Sequence, residues 1–290
     1  MRKEKPINKT EITNDLMHYI YIYIDSEINL DTISKDFNIS KFHLHRIFKE
    51  EFGSNIYETI KSIRLQKASN LLLTNKNSTI SEIAASCGYS AQTSFIRAFK
   101  ARFGMSPKKW RQGGFWEYSD KILQKADFLT NADYSNLSMQ IKKMPEFNIY
   151  YIRHKGYDQG IRECWQKLQA LVLTHNIEDY TQVALYHDNP IITPLQDCNY
   201  VAAIRLNDDI NPQTVDLPSF SIAAGVYAEF SAKGYKNDIF RLIQWIYLEW
   251  LPKSGYKLTA QPTYVVYEKN DYLSEDGMFS LKYYLPVVFK

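Results

Sequence analysis

The sequence predicts an all-α domain built from two helix-turn-helix units, followed by an α+β domain of two repeated halves, each a helix on antiparallel sheet. Three observations lead there. The pattern of Ile33 to Gly53 (ISKDFNISKFHLHRIFKEEFG) returns at Ile83 to Gly104 (IAASCGYSAQTSFIRAFKARFG). A different pattern, beginning at Lys155-Gly156-Tyr157, returns 78 residues later at Lys233-Gly234-Tyr235. The charge divides between the same two regions: residues 1–112 hold 18 Lys and Arg against 11 Asp and Glu, net +7, and the rest hold 17 against 21, net −4. A chain of 290 residues has interior enough for about two domains with separate cores.

Both copies of the first pattern run from an apolar helix through a turn ending in Ser (Ser40, Ser90) into a helix closing with Arg-x-Phe-Lys-x-x-Phe-Gly. Arg46/Arg97, Phe48/Phe99, Lys49/Lys100, Phe52/Phe103 and Gly53/Gly104 are each 51 apart, whereas Ile33/Ile83 and Ser40/Ser90 are 50 apart. One residue is therefore added at the start of the second closing helix. Such a unit anchors one helix and lays the other in a major groove, and two units can read two half-sites. The four phenylalanines fall at i, i+4 and face the core, while His45, Arg46, Gln92, Thr93 and Arg97 fall elsewhere on the wheel and can hydrogen-bond base edges. Lys41, Lys49, Arg64 and Lys100 are the candidates for phosphate, as a basic half requires of a double-stranded DNA partner.

Residues 1 to about 10 are polar and read as a frayed end. Asp15 to Ile24 is a first helix covering the first unit; its Tyr-Ile alternation also suits a strand, and the all-helical surroundings favour helix. A long helix of about Tyr57 to Thr74 links the units, Ser81 signals the next helix, and Pro107 breaks the chain soon after Gly104. Beyond Gln112, Gly113 and Gly114 loosen the chain, and the stretch to Asn136 lacks sustained periodicity. It reads as a linker, 113–136, with about one helical turn docked through Phe115 and Trp116, between domains at 1–112 and 137–290.

Cys87, Cys164 and Cys198 are odd in number and lack C-x-x-C spacing, so neither a disulfide framework nor a zinc site is indicated, and no cofactor is implied. A reducing cytosol fits. No basic segment followed by an apolar run opens the chain, and the apolar run IFRLIQWIYLEWL carries Arg241 and Glu249, which supports neither secretion nor a membrane partner.

In the second domain Ile161, Trp165, Leu168 and Val172 follow the first Lys-Gly-Tyr, and Ile239, Ile243, Ile246 and Trp250 follow the second. Spacing of i, i+4, i+7, i+11 is one face of a three-turn helix. The runs FNIYYIRH, TQVALYH, NYVAAIRL, SFSIAAGVYAEF, PTYVVYE and FSLKYYLPVVF read as strands. Two such halves leave a concave groove where they meet.

From about Asp31 to Gln112 the chain resembles the DNA-binding domain of the AraC family, through SKFHLHRIFKEEFG, IRLQKASNLLL, IAASCGYS and SFIRAFKARFGMSPKKWR. The resemblance implies two recognition helices in successive major grooves, carried by a rigid linking helix. Phe42 joins the reading set by this likeness. Phe42 and His45 stand where relatives often carry Trp and Gln, so the operator is not inherited from them.

Nearly all of the second domain resembles the GyrI-like effector-binding domain, through IRHKGYD, Asp188-Asn189-Pro190, GVYAEFSAKGY, EWLPKSGY, PTYVVY and YYLPVVFK. The resemblance implies an aromatic cavity for a small-molecule effector. Such domains often hold cations against a buried acid in Pro-x-x-Glu-x-Tyr. Here the pattern reads Pro262-Thr263-Tyr264-Val265-Val266-Tyr267, with Val265 in the acid's place. Valine offers a cation only apolar surface, which shifts the expectation toward neutral aromatic or amphipathic ligands. Glu229 is a candidate substitute charge, although acids in that setting more often face solvent. Tyr151, Trp165, Tyr186, Tyr227, Tyr264, Tyr267 and Tyr284 are the candidate cavity walls.

The whole reads as a sequence-specific transcription regulator rather than an enzyme, with RNA polymerase a further candidate partner. One alternative is a DNA-binding module whose C-terminal domain contacts only another protein. The other is a GyrI-like hydrolase, for which no catalytic arrangement of His, Cys or Ser is visible; His154, His175 and His187 sit singly and read as surface or loop residues.

Overall fold

A computed structural model describes residues 9–125, 132–207 and 215–289. The first unit comprises α1 (Lys9–Ile22), α2 (Leu30–Asp36) and α3 (Lys41–Phe52). The Tyr-Ile run is helical: Leu16 with Ile20 and Met17 with Tyr21 fall at i, i+4, and all four are buried against Ile33, Leu44, Ile47, Phe48 and Phe52. The helix begins earlier than the expected Asp15. The part of the frayed end that precedes Lys9 lies outside the described residues.

The linking helix α4 (Ile56–Thr74) leads to the second unit, α5 (Ile80–Ser86) and α6 (Gln92–Phe103). Phe95, Phe99 and Phe103 stack along the buried side of α6 against Trp110, whose indole N–H donates to the Ser69 carbonyl at 3.2 Å. The cap of α5 is not at Ser81. Thr79 supplies it in a capping box, accepting from the Glu82 amide at 3.1 Å while the Glu82 carboxylate accepts from the Thr79 amide at 2.7 Å.

The added residue of the second copy has a local consequence. Ser40 caps α3 by accepting from the His43 amide at 3.1 Å. In α6 the cap position falls on Ala91, which makes no side-chain cap bond, because the extra residue moves Ser90 out of place. Both helices end at glycines in the left-handed region, Gly53 and Gly104 (φ 66° and 67°).

A helical turn, α7 (Pro107–Lys109), passes through a π-turn (Trp110–Gly114) into α8 (Phe115–Lys125). The expected linker thus holds an 11-residue helix rather than a single turn. Phe115 and Trp116 are partly buried on the core, as expected, and Leu123 is fully buried. Residues 126–131 of that stretch lie outside the described residues.

The C-terminal part is a sheet-rich α+β fold. Its strands are β1 (Met139–Met144), β2 (Phe147–Lys155), β3 (Tyr180–Tyr186), β4 (Asn199–Leu206), β5 (Ser219–Ile222), β6 (Gly225–Tyr235), β7 (Tyr256–Leu258), β8 (Thr263–Lys269) and β9 (Met278–Phe289). Every expected run forms strand; β1 and β7 are additions, and SFSIAAGVYAEF divides into β5 and β6. The antiparallel order among the described residues is β1-β6-β9-β8-β3-β4-β2-β5, with β7 on β9. Helix α9 (Gly160–Thr174) follows β2, and α10 (Asp238–Trp245) follows β6, running on through a π-turn to α11 (Leu251–Lys253). Both lay their apolar faces on one side of the sheet.

The two-residue period of the strands sorts the side chains. Ala184, Tyr186, Ala202, Ala228, Val265, Tyr267 and Tyr283 join the helix-side core, and Tyr151, Val183, Leu185, Val201, Tyr227, Tyr264 and Tyr284 form a cluster on the opposite face. The helix-side core is continuous with that of the second unit, whereas the first unit has a core of its own.

Removing the α3 cap with Ser40→Ala is expected to cost about 1 kcal/mol, and supplying the missing one with Ala91→Ser to add up to about 1 kcal/mol. Urea unfolding of each variant checks both signs.

Candidate nucleic-acid interface and effector site

The polar faces of α3 and α6 are turned to solvent. Phe42, at the start of α3, is 81% exposed, and Arg46, Gln92, Thr93 and Arg97 are all exposed. His45 is half-buried, its ring 5.4 Å from that of Tyr57. An aromatic ring held in water at the tip of a helix buries nothing in this fold, yet it suits contact with a thymine methyl.

Lys49 and Lys100 are exposed in the last turns of these helices, and Lys41 forms a surface pair with Asp31 at 2.5 Å that an incoming phosphate can replace. Arg64, expected to meet phosphate, has acceptors within the protein. Its Nε donates to the Ile24 carbonyl at 2.9 Å and an Nη to the Ser26 carbonyl at 2.6 Å, so a phosphate would have to displace two protein acceptors. The same guanidinium packs on Gly88 in the second unit's turn, where a Cβ would lie 2.8 Å from Arg64 Cζ and φ is +72°. Arg64 ties the two units together across α4.

The nine candidate effector residues do not share one face, because strand alternation divides the eight on strands and Trp165 lies on α9. Tyr151, Tyr227, Glu229, Tyr264 and Tyr284 occupy one face; Trp165, Tyr186, Val265 and Tyr267 occupy the other. On the first face Tyr264 and Tyr284 stack at 4.6 Å, with Tyr227 edge-on to Tyr264 at 5.3 Å. Glu229, expected more often to face solvent, is 5% exposed, and both its oxygens accept from Lys142 Nζ at 2.8 Å. Burial acts to raise its pKa, but the hydrogen bonds from Lys142 and Tyr284 and the lysine charges prevail and lower it. Its charge is therefore already matched.

On the helix side Val265 is fully buried in a cluster of rings. Trp165 Nε1 donates to Tyr200 Oη at 3.1 Å and meets Tyr267 edge-on at 5.6 Å, while Tyr186 meets Tyr200 at 5.7 Å. Sequence reasoning missed Asp271, which is 8% exposed and whose carboxyl burial pushes up to about 7, against its own backbone amide and the Lys236 charge. No spacing marks it, since it follows β8 in a loop.

The residues joining the helices to the sheet were also missed. The Arg153 guanidinium on β2 lies 4.0 Å from the Phe52 ring and donates to Glu51 Oε1 at 2.5 Å and to Tyr151 Oη at 3.3 Å. Tyr151 Oη donates to Asn14 Oδ1 at 3.0 Å, and Asn14 Nδ2 to the Ser219 carbonyl at 2.8 Å. Gln66 on α4 donates to Asp188 Oδ1 at 3.0 Å and accepts from the Asn189 amide at 2.8 Å. Arg102 on α6 donates to Thr193 Oγ1 at 3.2 Å. His187, read as a lone loop histidine, pairs its Nδ1 with Tyr21 Oη at 2.7 Å. Burial, and secondarily the Arg153 charge, holds its pKa down at about 3. The ring is thus held neutral beside the tyrosine hydroxyl.

Residues 33–113 match a helix-turn-helix domain family, and residues 138–288 match the GyrI-like small molecule binding domain. The chain is 34% identical over 105 residues to the probable transcription factor PqrA of Proteus vulgaris, spanning 36% of this chain and 85% of that one. It is 35% identical over 99 residues to the Msm operon regulatory protein of Streptococcus mutans, spanning 34% of this chain and only 35% of that relative. Among solved structures it is similar to the C-terminal domain of AraT, a response regulator from Geobacillus stearothermophilus, at 28% identity over 37% of this chain and 88% of that one, with a TM-score of 0.33. The two family matches and the likeness to PqrA define a DNA-binding transcription regulator of the helix-turn-helix class joined to a small-molecule domain. The chain belongs to the AraC-type regulators that carry a GyrI-like effector-binding domain.

His187 and Asp271 give opposite pH dependences. The folded pKa of His187 is below its unfolded value, so its contribution is complete above about pH 6.5 and is lost as pH falls toward about 3. Asp271 is raised, so its contribution is complete below about pH 4 and is lost as pH rises through about 7. His187→Gln should flatten the rising limb of stability against pH and Asp271→Asn the falling limb, as read by denaturant midpoints at each pH.

Proposed function

We propose that α3 and α6 each read one half-site of an operator, about one helical turn of roughly 10 base pairs apart, and that a small ligand held by residues 137–290 controls this reading. The supporting observation is that Arg46 and Arg97, 51 residues apart, are both exposed at equivalent places on the closing helices of two units linked by α4. The proposed division is a DNA-binding domain at 1–112, a connecting segment at 113–136 and an effector domain at 137–290, whose 78-residue sequence offset reflects two related halves. Regulation rather than catalysis is favoured by relatives named as regulators. With Val265 in the acid's position and Glu229 matched by Lys142, the ligand is hydrophobic or aromatic and need not be a cation.

Genomic fragments retained by the protein supply the test sequence. Arg46→Ala and Arg97→Ala should each weaken that specific site by about 1–3 kcal/mol, if each guanidinium grips a base edge with two hydrogen bonds. Lys49→Ala or Lys100→Ala should weaken all sequences alike and lower the slope of log affinity against log salt by about 1. Unchanged affinity in both arginine variants would remove α3 and α6 as the readers.

A further inference from the structure

Phe42, His45, Arg46 and Lys49 lie at i, i+3, i+4 and i+7, and so share one face of α3. Three of them are exposed, whereas His45 is half-buried. Beside it stands Tyr57, the second residue of α4, with ring centroids 5.4 Å apart and ring planes inclined at 36°. Aromatic rings at that separation attract one another. Tyr57 itself is 62% exposed, so its ring adds little to the core of the first unit.

The turn that carries Tyr57 is fixed by its neighbours. Asn55 caps α4 by accepting from the Glu58 amide at 2.9 Å, Ser54 and Thr59 share a hydroxyl hydrogen bond at 2.8 Å, and Ile56 and Ile60 are buried in the first core. Tyr57 is thus an exposed ring on an anchored turn, set against a residue of the reading face. A histidine ring can donate or accept at a base edge, and one whose rotation is already restricted loses less freedom on binding.

The second unit has no counterpart of this pair. In the 51-residue register that matches Arg46 to Arg97 and Lys49 to Lys100, the places of His45 and Tyr57 fall to Ile96 and Lys108. Isoleucine has no side-chain donor or acceptor for a base edge. The aromatic pair therefore distinguishes two otherwise matched reading helices.

Resting on the reading of α3 as a DNA-reading helix, we propose that Tyr57 is a positioning residue for base recognition: its ring holds the His45 imidazole in place, and the pair gives the first unit a base preference that the second unit lacks. Tyr57 acts through His45 and not by a base contact of its own.

The test uses the full chain, the genomic fragment it retains and every single-base-pair variant of that fragment, with affinities measured by competition. His45→Ala should lower discrimination about tenfold at one or two base pairs of a single half-site, the one weakened by Arg46→Ala. Tyr57→Ala should lower discrimination at those same base pairs about threefold to tenfold, and Tyr57→Phe, which keeps the ring, should restore it. Added to His45→Ala, Tyr57→Ala should change those base pairs no further. Tyr57→Gln removes the ring in a good helix former and should repeat the Tyr57→Ala result, which separates the effect from any loss of helix stability. Equal weakening of all fragments by Tyr57→Ala, an equal loss in Tyr57→Phe, or unchanged discrimination at the His45 base pairs overturns the proposal. The α3 reading is checked in the same panel: if Arg46→Ala weakens the fragment while the Tyr57 variants discriminate as the parent does, only the positioning role is refuted. If neither Arg46→Ala nor His45→Ala changes binding, α3 is not a reader and the proposal falls with it.

Discussion

The attachment of α3 to the sheet depends on one guanidinium. Arg153 sits 4.0 Å from the Phe52 ring and 5.0 Å from that of Tyr151, with Glu51 at 2.5 Å, and only 10% of its side chain is exposed. Glu51 and Phe52 are the last residues of α3, so the end of that helix is fixed to β2. A partly buried cation between two rings and a carboxylate is stable only while all its partners stay in place, because each is desolvated by the others. The joint is therefore either made or lost as a whole. Around it the Asn14, Tyr21 and Gln66 contacts add neutral hydrogen bonds that specify orientation more than they add energy.

The two units are held by different means. The first keeps a separate core and meets the sheet through this polar joint, while the second shares a continuous apolar core with the sheet's helix side, through Trp110, Tyr118 and Leu123. An apolar seam resists opening in proportion to its area, whereas a polar joint can exchange partners with water at small net cost. The first unit thus meets the sheet mainly through polar contacts, and α4, carrying Arg64 between the units, joins it to the second.

The doubled helix-turn-helix, the linking helix, six strand runs and the faces of α9 and α10 were legible because they depend on local periodicity. Phe48, Phe52, Phe99 and Phe103 must be buried if α3 and α6 are helices at all, and they are. The exposure of Arg46 and Arg97 follows from the same wheel. The nine proposed cavity residues were a different kind of inference. Aromatic residues in neighbouring strands look equivalent in sequence, and only register decides that Tyr264 and Val265 face opposite ways against Tyr284 and Tyr283.

By itself the sequence determined the kind of protein this is, since a repeat with matched Arg, Phe, Lys and Gly positions is a property of neighbouring residues and needs no long-range contact to be seen. What tertiary structure alone decided is how the helices meet the sheet: Arg153 with Glu51, Tyr21 with His187 and Gln66 with Asp188 are separated by 102, 166 and 122 residues. Side-chain charge and periodicity carry no information over such separations. The contacts of Arg64 with Ile24, Ser26 and Gly88 belong to this second category too, because they join residues far apart in the sequence.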